Sequence, residues 1–274
     1  MKIVPITIIA SFIMSLSSGV AFAGTDTSAQ DIIAKSQQAS YYQASDMKAK
    51  VSMALIDKNG KERSRVMTML RIDEAGGENQ KYFIYFHEPG DVRGMTFMVW
   101  KYGDKEDDRW LFIPAVDLVR RIAADDKRSS FVGSDFNYED VSGRDVESDT
   151  YTLVREEKLN ERDCYVIESV PKKVIDYTKR VSWVDKENYL PLKEEYYDRQ
   201  GELYRVFTAE QVDVIASRKD EASKFPSVTK RTMANLKTGH KTEVSFEDIA
   251  YDIDLNDKDF SERYLRKPPK KWIR

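Results

Sequence analysis

A chain of 274 residues, 41% of them hydrophobic, has enough material for one large or two small domains with a sizeable core. Although 33% of the residues are charged, 44 basic against 47 acidic side chains leave a net charge of −3, which excludes bulk electrostatic attraction to nucleic acid or to an anionic surface. The signs are mixed along the chain, as on a solvated globular exterior rather than in a disordered tail.

The first element is a secretory signal peptide. Lys2 gives a short positive start, Ile3 to Leu16 is apolar apart from Pro5, Thr7, Ser11 and Ser15, and Ala21-Phe22-Ala23 before Gly24 fits a small-x-small cleavage site. Ile3 to Phe22 approaches the ~20 residues of a membrane span, so an uncleaved anchor is the rival reading. Ser17-Ser18-Gly19 and the lack of a following basic cluster favour cleavage after Ala23 and an exported, soluble product. No cysteine stands at the cleavage point, so no lipoprotein anchor is expected. Cys164 is the single cysteine; the fold must hold by its core even in an oxidising compartment.

Ser28 to Tyr42, with Ile32, Ile33 and Ala39 and with Asp31 in the first turn, predicts an amphipathic helix. The period then changes to two. Met47 to Ile56 and Glu62 to Ile72 flank Asp57-Lys58-Asn59-Gly60, a hairpin signal because Asn-Gly tolerates positive φ. A loop of two or four residues would place Ala49, Val51, Met53, Leu55, Val66, Thr68, Leu70 and Ile72 on one dry face. Lys48, Lys50, Ser52, Arg63, Arg65 and Arg71, with Met67 and Met69, would take the other.

Further strands are predicted at Lys81 to His87, Gly94 to Tyr102, Asp108 to Ile113, Leu118 to Ala123, Tyr151 to Glu156, Cys164 to Val170, Lys179 to Asp185, Pro191 to Tyr197, Leu203 to Val214, Ser227 to Leu236 and Lys241 to Tyr251. In the hairpin around Asp198-Arg199-Gln200-Gly201, Glu194 would face Arg205 between the pairs Leu192/Phe207 and Tyr196/Leu203. Short helical breaks are expected around Asp126 to Val141 and from Asn256 to Leu265. A sheet of about a dozen strands with few helices must curl, so the expected fold is mainly β, a strongly curved antiparallel half-barrel.

Catalytic motifs are sparse. The chain has no Gly-x-Ser-x-Gly elbow, phosphate loop, His-Glu-x-x-His or paired-cysteine motif. Asp252-x-Asp254-x-Asn256 starts like a calcium loop, but Asp257 stands where glycine is needed and Arg263 where a bidentate glutamate is needed; these acids suit a cap on the closing helix instead. Cys164 lies in a strand-like run and reads as a buried thiol, while His87 and His240 read as structural or exposed. No metal or cofactor is expected. Gly94 to Trp100 and Trp110 to Ile113 are apolar on both faces, which fits central strands covered on two sides or the wall of a ligand cavity. Met53, Met67, Met69, Met95 and Met98 cluster in the first strands, and methionine adapts to irregular, flexible apolar ligands.

Arg109 to Pro114, Gly133-Ser134-Asp135-Phe136-Asn137-Tyr138-Glu139-Asp140-Val141, and Trp183 to Leu192 followed by Tyr197 to Gly201 resemble the bacterial outer-membrane lipoprotein-sorting family. That family looks like the periplasmic carrier LolA in fold, and the resemblance spans nearly all of the chain after the signal peptide. It implies one domain over residues 24–274, a curved sheet wrapped around helices, a hydrophobic cavity for acyl chains, a periplasmic location and partnership with RND-type transporters. The basic gating residue of LolA itself has no evident counterpart.

The leading expectation is a non-enzymatic carrier of lipid or lipoprotein acyl chains between inner and outer membranes, its cavity lined by Val51, Met53, Leu55, Val66, Leu70, Phe97, Val99, Trp110, Phe112, Tyr196, Leu203 and Phe207. A lipid sensor or regulatory subunit of a membrane transporter is the alternative, and an enzyme using Cys164, His87 or the acids Asp135, Glu139 and Asp140 is a third. Within the 134–140 segment, Phe136 and Tyr138 should anchor a loop and short helix with Asp135 as the cap. The cations Arg266, Lys267, Lys270, Lys271 and Arg274, set off by Pro268-Pro269, should form an exposed tail able to touch an acidic membrane or a transporter loop.

Overall fold

The computed structural model describes residues 27–74, 77 and 79–273, so the predicted signal peptide lies outside the described residues. The first helix, α1 (Ala29–Tyr41), begins where expected: the Asp31 N–H donates to Ser28 Oγ at 3.1 Å and the Ser28 N–H returns to Asp31 Oδ2 at 3.3 Å. This reciprocal cap satisfies two of the helix's unpaired donors.

Thirteen antiparallel strands follow in one curved, unclosed sheet. They are β1 (Asp46–Ile56), β2 (Glu62–Asp73), β3 (Gln80–Glu88), β4 (Thr96–Lys101), β5 (Asp108–Ile113), β6 (Leu118–Ile122), β7 (Asp149–Leu159), β8 (Arg162–Pro171), β9 (Lys179–Asp185), β10 (Pro191–Tyr197), β11 (Leu203–Ala216), β12 (Lys224–Asn235) and β13 (His240–Tyr251). The spatial order is β6-β5-β4-β3-β2-β1-β13-β12-β11-β10-β9-β8-β7. Each strand pairs with its sequence neighbours except at two places. β1 pairs with β13, which joins the two ends of the chain in the middle of the sheet. From β6 to β7 the chain passes from one edge to the other, and this strap carries helix α2 (Tyr138–Ser142) across the concave face.

The register of the first hairpin differs from the expected one. Gly60, at φ +80°, donates its N–H to the Asp57 carbonyl at 2.9 Å, and the Asp57 N–H donates to the Lys61 carbonyl at 3.0 Å. Asp57 Oδ1 also accepts from the backbone N–H groups of Asn59 (2.8 Å) and Lys61 (3.0 Å). The connection therefore holds three residues with glycine in the left-handed region, and the pairing moves by one. Val51 lies opposite Met67, Ala49 opposite Met69, and Ser52 opposite Val66. A shift of one residue turns every side chain of β2 to the other face, so Met67 and Met69 point into the concave core while Val66, Thr68 and Leu70 point outward.

The hairpin at Asp198 repeats this turn: Gly201 is also at φ +80°, and Asp198 Oδ1 accepts from Gln200 and Glu202, each at 2.9 Å. A further bulge lies between Tyr196 and Tyr197. Arg205 consequently faces Tyr196, with its guanidinium 4.2 Å from the ring centre, and Phe207 faces Glu194. The expected Glu194–Arg205 cross-strand pair does not form; Glu194 binds Arg180 of β9 at 3.2 Å.

The convex face of β2 to β5 is covered as well. Leu70, Phe83, Met98, Trp110 and Phe112 pack against Leu255, Phe260 and Leu265, and Trp272 and Ile273 lean on the same cluster. Helices α3 (Arg263–Arg266) and α4 (Lys270–Ile273) lie in this cover. Thr96 Oγ1 donates to the Leu265 carbonyl and Trp100 Nε1 to the Phe260 carbonyl, each at 2.8 Å. Strands that are apolar on both sides are thus buried on both sides by protein. The expected free tail is replaced by a docked one: Pro269 is buried, Trp272 Nε1 donates to Asp259 at 2.8 Å, and Arg266 reaches Asp117 at 3.0 Å. Apolar residues between the cations have more to gain on the sheet than in water. Asp252, proposed as a helix cap, instead accepts from the Ser45 backbone N–H (3.0 Å) and Ser217 Oγ (2.6 Å), tying strand ends together.

Candidate functional site

The concave face is divided in two by the strap. Phe131, Phe136 and Tyr138 are all buried; Phe131 packs on Phe86 and Phe97 with ring centres 6.1 and 5.3 Å apart, and Tyr138 packs on Phe97 at 5.3 Å. These contacts fill the β3–β5 side as a solid core. Phe136 and Tyr138 are therefore the anchors the sequence predicts, but the cap differs. The Asn137 N–H donates to Asp140 Oδ2 at 2.8 Å at the start of α2, whereas Asp135 Oδ2 accepts from Thr242 Oγ1 of β13 at 2.7 Å. The strap is thereby pinned to the centre of the sheet.

On the other side a partly open cavity of about 190 Å³ remains, bounded by α1, the strap and the inner faces of β1, β2 and β9 to β13. Its apolar wall includes Ile33, Met47, Ala49, Met69, Phe207 and Met233. A smaller annex of about 30 Å³ opens beside it, lined by Val51, Met53, Met67 and Ile84.

Of the residues expected to line a cavity, Tyr196 and Phe207 line the main one, and Val51 and Met53 line the annex. Leu55, Phe97 and Val99 are on the concave side but within the solid core. Leu70, Trp110 and Phe112 lie under the C-terminal cover of the convex face, and the half-buried Val66 is on that face outside the covered cluster. For Val66 and Leu70 the cause is the three-residue turn. For Trp110 and Phe112 it is the alternation of β5, which sends Leu111 inward instead. Leu203 is half-buried at the start of β11, outside the cavity wall.

Polar groups were the part missed from sequence. Arg71, Arg128, Arg144, Arg180 and Arg231 all line the cavity. Glu139, almost fully buried in α2, takes Arg128 at 2.6 Å, Arg144 at 3.2 Å and Lys127 at 3.5 Å. Burial alone would raise its pKa, but these cations outweigh that effect and hold it below the ordinary glutamate value. Arg128 and Arg144 are shared with Asp176 (2.6 Å) and Asp149 (2.8 Å), so one network clamps the strap to the β7 side. Signals existed in the sequence: Arg180 alternates with Ser182 and Val184, and Arg231 shares a face with Met233. Only the register says that those faces are inward.

The residues considered for catalysis are not brought together. Burial pushes the Cys164 thiol up to about 11. His87 bonds Thr68 Oγ1 at 2.9 Å, its pKa lowered by burial, and seven strands lie between β3 and β8 in the sheet. Asp135 and Glu139 are committed to Thr242 and the arginines.

The curved sheet closed on one side by a helix and a strap defines a LolA-like protein. A family model described as an uncharacterized protein matches residues 78–267. An outer membrane lipoprotein-sorting protein domain from Vibrio parahaemolyticus is 30% identical, with a TM-score of 0.77 over 87% of this chain and 98% of that one. A DUF1329 family protein from Desulfovibrio piger is 28% identical, with a TM-score of 0.77 over 86% and 97%. A LolA superfamily protein from Nitrosomonas europaea shares the fold at 24% identity, TM-score 0.63, over 86% and 99%. No curated protein matches. The chain belongs to the DUF1329 family of outer membrane lipoprotein-sorting, LolA-like proteins.

Proposed function

We propose that this protein is a non-enzymatic periplasmic carrier that shields acyl chains of a lipid or lipoprotein in transit between inner and outer membranes, working with an inner-membrane transporter of the RND class. The observation that carries this reading is the cavity between α1, the strap and the sheet, with an apolar wall of Ile33, Met47, Ala49, Met69, Phe207 and Met233 beside its arginines, in a member of a lipoprotein-sorting family. Among the described residues no helix is long and apolar enough to cross a membrane.

Burying a methylene contributes ~0.8 kcal/mol, so a sixteen-carbon chain would gain roughly 12 kcal/mol if fully enclosed. At about 190 Å³ the cavity is smaller than the ~300–1,000 Å³ of ordinary small-molecule sites. Full enclosure therefore requires α1 or the strap to move outward, and the cost of that movement offsets part of the gain and permits release. Mass spectrometry of organic extracts from protein purified out of its native periplasm tests the proposal. Acyl-bearing species should co-purify in near-equimolar amount; extracts without them, from protein whose cavity then fails to take up added lipid, would remove it.

A further inference from the structure

Four of the five arginines around the cavity already hold partners. Arg71 donates to the carbonyls of Tyr41, Gln43 and Ala44. Arg128 and Arg144 hold Glu139 with Asp176 and Asp149, and Arg180 holds Glu194. Arg231 differs. Among the described residues none accepts a hydrogen bond from its guanidinium and no carboxylate lies within ion-pair distance; its Nε is sealed from solvent without a partner. The guanidinium sits 5.3 Å from the ring centre of Phe136 and 4.8 Å from that of Phe246. It borders both the main cavity and the annex.

The groups that face it do not neutralise it. Asp140, the acid it senses, is occupied by Arg205 at 3.3 Å and by the Asn137 N–H at 2.8 Å. Tyr41 is kept as a neutral phenol by burial. Desolvation pulls the pKa of Arg231 below the usual arginine value, yet a guanidinium has nowhere to lose its charge at physiological pH. An unpaired, partly buried cation whose Nε is sealed from water is costly, and two aromatic faces return only part of that cost. A planar fork of unpaired donors opening on a cavity with an apolar wall on one side matches a carboxylate or phosphate.

We propose that Arg231 anchors the anionic headgroup of the cargo, a carboxylate or phosphate oxyanion attached directly to an acyl chain that occupies the cavity. The inference rests on the carrier reading and narrows it. The charged end is held inside, between Phe136 and Phe246, rather than left at the mouth. A cavity of about 190 Å³ then favours a small headgroup over a sugar or a folded peptide.

The test is displacement of a neutral solvatochromic probe by hexadecanoate, hexadecyl phosphate and hexadecanol, with wild-type protein and with Arg231→Met and Arg231→Lys. Wild type should prefer the anions over hexadecanol roughly tenfold or more, the scale of a charge-assisted hydrogen bond in a desolvated site. Arg231→Met should lose that preference while binding hexadecanol at least as well, and Arg231→Lys should keep part of it. The tighter of the two anions identifies the headgroup chemistry. Equal binding of anions and alcohol by wild type, or a preference that survives in Arg231→Met, would overturn the proposal while leaving the carrier intact. Binding of none of the three would remove the carrier reading and this one with it. Removing an unpaired, partly buried charge should leave the melting temperature of Arg231→Met equal or higher; if that variant fails to fold, the wild-type preference and its reduction in Arg231→Lys still decide.

Discussion

Burial of Lys101 beneath the strap pulls its ammonium pKa down to about 8, while Nζ donates to the carbonyls of Ser142 (2.7 Å) and Gly143 (3.3 Å) at the end of α2. In the unfolded chain the same group titrates near 10.4. Between those values the unfolded state binds more protons, so the stability of the fold should rise with pH across that window. Unfolding free energies from urea titrations at about pH 7 and about pH 9.5 should differ by roughly 1–3 kcal/mol in wild type, with a flatter profile in Lys101→Met; identical slopes would show that Lys101 is not the source. Glu139 has the opposite sign. Its depressed pKa gives stability that is present above about 4.3, its value when unfolded, and is lost as pH falls through the lower folded value. Glu139→Gln should cost about 2–4 kcal/mol at neutral pH, because it strips a shared partner from Arg128 and Arg144. Thermal melts over an acid series should show the variant less sensitive to acid than wild type. Neither role announces itself in the sequence, where Lys101 follows Trp100 as one cation among many and Glu139 stands with Asp135 and Asp140 as one of three acids considered for catalysis.

At the level of elements, alternation and turn residues were enough to locate every strand, and the family resemblance agreed with the curved sheet they imply. Register was not legible in the same way. In β2 both alternating sets are apolar at their centre, Val66 and Leu70 against Met67 and Met69, so hydrophobicity could not choose between them. The choice was made by Gly60 in a three-residue turn, a conformation that Asn-Gly permits without dictating. The observed register makes a prediction that separates the two faces. Met67→Asp should cost more than about 3 kcal/mol by placing an unpaired carboxylate in the concave core, whereas Val66→Asp, half-buried on the other face, should cost under about half of that. Denaturant unfolding of the pair checks it, and a larger loss for Val66→Asp would return the hairpin to the other register. Likewise, Gly94 to Trp100 announced two covered faces, but nothing local could say that a segment more than 150 residues later covers one of them.

For the whole molecule, the docked C-terminus changes what a truncation should do. Deleting residues 267–274 should remove Trp272 and Ile273 from the convex cluster and lower the melting temperature by several degrees, as expected for a loss of about 1–3 kcal/mol. An unchanged melting curve would mean that the end of the chain is a passenger. The size of the cavity supports a second prediction. Gln30 of α1 donates to Glu147 beside the strap at 2.8 Å, both at the surface. Cysteines at these positions, bridged by a short bis-maleimide, should slow or abolish uptake of hexadecanoate if α1 and the strap must separate, with unbridged protein as the control. Full uptake by the bridged protein would show that the cavity widens elsewhere.

The join of β1 to β13 has a consequence for how the cover can move. Read from β7 through β13 and on into β1 to β6, the sheet is a plain meander, and the natural chain is a circular permutation of it opened at the central pair. The strap is then the one long connection, and it spans two edges without belonging to any ladder between strands. It can lift away from the concave face without breaking an inter-strand hydrogen bond. What resists it is the Thr242 pin, the Glu139 arginine network and the aromatic anchors. A protein whose ends are fused between β13 and β1 and whose backbone is cut near residue 125 would carry the same sheet with the cover tethered at one side only. In that permutant the scaffold and its lid become separable objects.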